Sequence, residues 1–197
     1  ACEGLAALWA AIDGTRISRD VEVNDASLLR GFELLPKHLR VHLGPKLAEN
    51  LAKQGYTSVA KDVLRRLERM TGMETDSIAL GKAQIDLLDG HADEAAEAFK
   101  ELAVNQSPET ARAVAAAVDI AQLKGEPVSE RIVELSAAYS TELRNTESGP
   151  EMWEAHLKSL IINQRFEDAL NVLKSVEGVP DDLLKKARNE TFAAIFA

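Results

Sequence analysis

The stretch from Asp76 to Val104, DSIALGKAQIDLLDGHADEAAEAFKELAV, constrains the chain more than any other. Ile78, Ile85, Leu87 and Leu88 give its first part an apolar helical side, and Asp89-Gly90 supplies a break. Ala95, Ala96, Ala98, Phe99, Leu102 and Ala103 then restart a helical pattern. The stretch predicts two short helices folded back on each other. Its tight turn needs Gly90, and a close crossing needs a small residue such as Ala95. Neither helix can bury its apolar side alone, so the hairpin must stack on others like it.

The rest of the chain supplies them. Residues 4–12 read as a short apolar helix closed by Asp13-Gly14, and residues 15–26 as an irregular connection. Ser27 reads as the N-cap of LLRGFELL, which Pro36 ends. Leu39, Leu43, Leu47 and Leu51 form one seam, with Pro45 expected to kink the helix or begin a new one. Gly55 ends it, and Val59, Ala60, Val63, Leu64 and Leu67 face inward on the return helix. Ser107-Pro108 opens a third hairpin, residues 144–150 read as a loop, and residues 151–163 and 166–178 make a further pair. Pro180-Asp181 opens a last helix, expected to seal that pair with Phe192 packed inward.

The small residues early in the return helices are Ala60, Ala95, Ser129 and Ala169, at separations of 35, 34 and 40 residues. Larger apolar residues follow four positions later at Leu64, Phe99, Val133 and Leu173. This period predicts an all-α chain, an α-α superhelix of antiparallel helix hairpins over 37–70, 76–104, 108–143 and 150–177. Residues 1–36 add an N-terminal helical segment, and residues 180–197 a C-terminal capping helix.

These residues resemble the tetratricopeptide repeat (TPR) family. Trp153, Leu157, Leu160, Ala169, Leu173 and Val176 sit at the family's signature spacing, and Gly90, Ala95 and Phe99 fit its second half, as do Gly55, Ala60 and Leu64. Ala79, Ala83 and Asp86 stand near places where the family has an aromatic and Gly-Tyr residues. The segment LPKHLRVHLGPKLAENLAKQG is similar to uncharacterised bacterial TPR-containing proteins, often exported ones. The resemblance implies a non-enzymatic scaffold that docks a protein or peptide on a concave face lined by first helices. Its groove-facing positions would be Leu80, Gln84, Leu87, Val114, Val118, Gln122, Glu154, Lys158 and Ile161. The alternative is a structural or self-assembling module whose groove its own helices fill, with exposed flanks available to a second copy. The resemblance leaves the compartment open between an exported, periplasmic location and a cytoplasmic one.

Composition narrows the classes. Apolar residues are 46% of the chain but aromatics only 5%, so the interior rests on Ala and Leu at close contacts. The formal charge is −9, and no run of Lys or Arg exceeds two residues, which argues against nucleic acid and anionic membranes. No apolar run approaches the ~18 residues a membrane span needs. Cys2 alone cannot close an intrachain disulfide. The Ala start and the AAIFA end read as an excised piece, or as a mature chain after removal of a targeting segment.

Candidate chemistry is sparse. His38 and His42, four apart, could face one metal, but the residues between them lack the carboxylate of an HExxH site, and two solvated histidines account for them. Asp89, His91, Asp93 and Glu94 crowd a turn without calcium-loop spacing; a turn and an acidic helix start account for them. Lys61, Arg65, Arg66 and Arg69 form a basic strip interleaved with Asp62 and Glu68, which reads as a solvated face. No nucleophile elbow, Gly-rich phosphate loop or spaced Cys/His cluster occurs in the sequence. The expectation is therefore no catalytic residue, no metal and no cofactor.

Overall fold

The computed structural model describes residues 2–15, 25–175 and 179–196, with side chains from residue 6 onward. Among these, 78% are helical and none is in a strand. The helices are α1 (Cys2–Ile12), α2 (Asp25–Leu34), α3 (Lys37–Lys53), α4 (Thr57–Thr71), α5 (Asp76–Leu88) and α6 (Ala92–Ala103). Then come α7 (Thr110–Lys124), α8 (Glu130–Glu142), α9 (Gly149–Ile162), α10 (Phe166–Lys174) and α11 (Asp181–Ile195). The chain divides into two compact units, residues 1–98 and 99–197.

One backbone device recurs between helices. Gly14, Gly55, Gly90, Gly125 and Gln164 have φ of 75°, 91°, 88°, 67° and 60°. The residue after each donates its amide to the carbonyl five residues back. These pairs are Thr15 to Ala10 (2.8 Å), Tyr56 to Leu51 (2.9 Å), His91 to Asp86 (2.9 Å), Glu126 to Ala121 (3.0 Å) and Arg165 to Leu160 (2.8 Å). Each is a Schellman-type closure, which satisfies orphan carbonyls and reverses the chain. The left-handed residues lie 41, 35, 35 and 39 positions apart.

After Gly55, Gly90 and Gln164 the next helix starts two residues on, at Thr57, Ala92 and Phe166. Ala60, Ala95 and Ala169 each fall five beyond the left-handed residue, and all three are fully buried. The third turn differs. Residues 126–129 delay α8 to Glu130, so Ser129 is its exposed N-cap and not a crossing residue. The small buried residue on α8 is Ser136.

In the first unit α3 packs against α1, α4 and α5, and α4 also meets α2 and α5. Leu8, Leu28, Phe32, Leu47, Leu51, Val59, Val63 and Leu64 form the centre of its core. Glycines bring these helices close. A Cβ on Gly44 would lie 2.6 Å from Leu67 Cδ1, and one on Gly81 would lie 3.2 Å from the Leu64 methyls. Pro45 neither ends α3 nor starts a new helix; it lies inside it. The turn it interrupts carries exposed Val41 and His42, where water can serve the carbonyl that loses its donor. Asn50 of α3 donates to the carbonyls of Ala11 (2.8 Å) and Ile12 (3.3 Å), capping the end of α1. α2 begins at Asp25, before the expected cap Ser27, with the carboxylate at the positive end of the helix. Most of the 15–26 connection lies outside the described residues.

In the second unit α9 packs against α7, α8, α10 and α11. Val114, Val118, Ile132 and Met152 make one cluster, and Trp153, Leu157, Leu160, Ala169, Leu173 and Ala187 another. Val176, expected in the latter, is outside the described residues. Asn163 straps the loop before α8: its Nδ2 donates to Val128 O and its Oδ1 accepts from Val128 N, both at 2.9 Å.

α11 packs on α9 and α10 through Leu183, Leu184 and Ala187. Phe192, expected inward, is 50% exposed, while Thr191 is fully buried and donates to Ala187 O at 2.8 Å. At 3.6 residues per turn the buried stripe runs through Ala187 and Thr191, which turns Phe192 outward by one position. α9 opens at Gly149 with Pro150 in its first turn, so the preceding loop is shorter than 144–150.

Two substitutions test the turns. Gln164→Gly should stabilise the protein by roughly 0.5–1 kcal/mol, because glycine removes the left-handed penalty that the other turns avoid. A urea midpoint equal to or below wild type would contradict it. Gly149→Ala should cost ~1–3 kcal/mol, although alanine normally favours a helix. A Cβ there would lie 2.6 Å from Arg144 O and 2.8 Å from Leu143 O, both backbone atoms.

Candidate functional site

The nine groove-facing positions fall in both units. Leu80, Gln84 and Leu87 belong to α5 in the first, and Val114, Val118, Gln122, Glu154, Lys158 and Ile161 to α7 and α9 in the second. Three of them do not face outward. Leu80 is 1% exposed, and Val114 and Val118 are fully buried. For the valines the cause is layering: α7 is covered by both α8 and α9, so its apolar side is core. Gln84, Leu87, Glu154, Lys158 and Ile161 are half-buried, and Gln122 is exposed. In each unit the positions left outside the core are more polar than the sequence suggested.

In the second unit this face carries an alternating charge chain. Asp119 of α7 meets Lys158 of α9 at 2.8 Å, Lys158 meets Glu154 at 3.2 Å, and Glu154 meets Lys186 of α11 at 3.1 Å. Burial alone would raise the Glu154 carboxyl, but hydrogen bonds and charge from Lys186 and Lys158 outweigh it and hold it below the ordinary value. Burial would likewise lower the Lys158 ammonium, yet Asp119 and Glu154 raise it. Glu154 and Lys158 thus stay ionised at neutral pH, and the chain of pairs ties α7, α9 and α11 together.

Three cations of the basic strip on α4 are matched by acids, while Arg69 donates from Nε to Arg65 O at 3.3 Å. Lys61 pairs with Asp89, Arg65 with Asp62 at 2.8 Å, and Arg66 with Glu33 of α2. Lys82 of α5 bridges Glu68 at 3.0 Å and Glu74 at 2.7 Å. Such exposed pairs contribute little each, ~0–1 kcal/mol. His38 and His42 are both exposed. Among the described residues no group of three or more His, Cys, Asp or Glu is placed to hold a metal ion. No described helix is long and apolar enough to cross a membrane.

A serine–histidine cluster went unnoticed in the sequence because its members come from two helices. Ser136 Oγ of α8 lies 3.2 Å from His156 Nδ1 and 3.1 Å from Ser159 Oγ of α9. Each hydroxyl has one hydrogen. Ser136 donates to Val133 O at 2.8 Å and Ser159 to His156 O at 2.7 Å. The Ser136–His156 contact is then filled by a hydrogen on Nδ1, which leaves Nε2 as an acceptor. Ser136 is fully buried, so no substrate carbonyl can reach its oxygen. The arrangement is a polar helix contact and not a nucleophile with its base.

Comparison with protein-family models, with curated proteins and with solved structures gives no match.

His156 sets a pH dependence. Burial first, then the Arg165 charge, lower its pKa from 6.5, with Asp168 partly opposing. The folded state therefore binds the proton less tightly than the unfolded chain does. The stabilisation from neutral His156 is complete above 6.5 and is lost as pH falls through the lower folded value. The melting temperature should fall on acidification through this window, and His156→Gln should flatten that slope. An unchanged slope in the variant would assign the effect to another group.

Proposed function

We propose that the chain is a non-enzymatic helical-repeat scaffold, TPR-like in organisation, that docks a protein or peptide segment on faces offered by α5, α7 and α9. The observation that carries this reading is the near-regular recurrence of the left-handed turn at Gly55, Gly90, Gly125 and Gln164. A repeated hairpin presents the same helix face again and again, and such arrays serve extended ligands. Gln84 and Leu87 on α5 of the first unit, and Gln122, Glu154, Lys158 and Ile161 on α7 and α9 of the second, give each unit's face mixed polar and aliphatic character. A segment with polar side chains and a few aliphatic anchors suits it better than a wholly apolar one. The buried Ser136 hydroxyl and the mutually neutralised charges support the non-enzymatic part.

A second reading has its own observation. Lys186 of α11 already sits on Glu154, and Phe192 near the end of that helix and Phe196 at its C-cap are 50% and 85% exposed. The C-terminal helix would then fill part of the face itself and present its phenylalanines to a second copy.

Recovery of bound proteins from a native extract, with Leu87→Lys and Gln122→Lys as controls, separates the two. Neither side chain is core, so both variants should fold, which circular dichroism checks. Loss of a specific partner with either variant is the expected result. A partner set indifferent to both, together with a concentration-dependent dimer that Phe192→Lys dissolves, would favour self-assembly.

A further inference from the structure

Residues 34–48 are the longest stretch of the chain without an acid, although the chain carries 32 acidic residues against 23 basic ones. The stretch holds Lys37, Arg40 and Lys46 and two of the four histidines, His38 and His42. It leads into and forms the first part of α3, one side of which no other helix covers: Lys37, His38, His42 and Lys46 are all exposed. At 3.6 residues per turn His38, His42 and Lys46 run in one row, with Lys37 and Val41 in the row beside it.

The positive charge on this side is not matched from within the chain. The acids that flank the stretch are engaged, Glu33 with Arg66 and Glu49 with Lys53 at 2.7 Å. Among the described residues no carboxylate pairs with Lys37, Arg40 or Lys46. Arg40 is half-buried, and its Nε has no hydrogen-bond partner. α3 also starts without an acid in its first turn, so the positive end of the helix dipole adds to these charges. Aliphatic groups stand beside them: Leu34, just before the helix, is 66% exposed, and Val41 39%. Pro45 has no N–H to give the Val41 carbonyl, which leaves an acceptor there as well.

Cations, exposed aliphatic groups and a spare backbone acceptor together select a class of partner. Nucleic acid fits poorly, because residues 34–48 hold no Phe, Tyr or Trp to stack on a base, and three fixed cations are few for a phosphate backbone. A bilayer would need a wider apolar stripe than Leu34 and Val41 provide. We propose that this side of α3 docks an acidic protein segment that carries aliphatic side chains. Its carboxylates pair with Lys37 and Lys46 and lie in the field of Arg40, its aliphatic groups cover Leu34 and Val41, and an N–H donor serves the Val41 carbonyl. The surface uses none of the α5, α7 and α9 positions of the proposed docking faces, so the two readings fail separately.

Fluorescence anisotropy of the full chain against four labelled probes tests it: a peptide of Glu with interspersed Leu, the same peptide with Gln for Glu, an all-Glu peptide, and oligothymidylate. The Glu–Leu peptide should bind about ten-fold more tightly than the other three, and added salt should weaken it. Lys37→Glu and Lys46→Glu should each weaken it about ten-fold with circular dichroism unchanged, since both side chains are exposed. Lys174→Glu, at an exposed cation of the second unit, changes the net charge equally and should bind as wild type does. No binding at ~1 mM, equal binding of any other probe, or an equal loss with Lys174→Glu would overturn the proposal. So would a dimer of the chain alone that Lys37→Glu dissolves, which would give this surface to a second copy.

Discussion

The amide that reaches five residues back past a left-handed residue is the contact on which the architecture depends. It ends a helix, supplies a donor to a carbonyl that would otherwise be orphaned, and sends the chain back within two residues. Because Gly55, Gly90 and Gln164 do this identically, the returning helices start in the same register and bring Ala60, Ala95 and Ala169 to equivalent buried positions. A side chain larger than methyl at those positions would hold the helices apart. Gln164 shows that the device tolerates a strained residue when packing on both sides fixes the turn.

Polar side chains do the joining where the turn alone does not. Asn50 reaches from α3 to the carbonyls that end α1, and Asn163 exchanges two hydrogen bonds with Val128 across the longer third connection. Thr110, 1% exposed, accepts from Ser107 N at 3.2 Å and donates to Asn105 O, closing the entry to α7. Where α8 and α9 meet, the Ser136 and Ser159 hydroxyls each donate to a carbonyl of their own helix and Ser136 accepts from His156, so these polar groups are satisfied. Unpaired, such groups would each cost about 1–3 kcal/mol, so their pairing also fixes which helices meet.

Much of the helix layout was legible because apolar periodicity, Gly and Pro are local signals. Val59, Ala60, Val63, Leu64 and Leu67 read as an inward face and are buried. The misreadings share a cause. Ser129 aligns by spacing, but an extended turn moves the helix start; Phe192 reads as inward by hydrophobicity, but the buried stripe passes through its neighbour Thr191. Leu80, Val114 and Val118 fit a groove by position, and neighbouring helices decide whether such a position is groove or core. Gly44 and Gly81 passed unremarked because a glycine inside a helix does not announce which side chain lies 2.6 or 3.2 Å away.

The sequence by itself determined that the chain is helical and where most helices end. Those properties follow from the 3.6-residue period and from the conformational freedom of glycine, both of which act within a few residues. The tertiary structure alone decided which apolar side chains are core and which remain outside. It also placed Ser140, Thr141, Arg144, Trp153 and His156 around one cavity. Burial and enclosure depend on what arrives from other helices, and no short-range pattern records that.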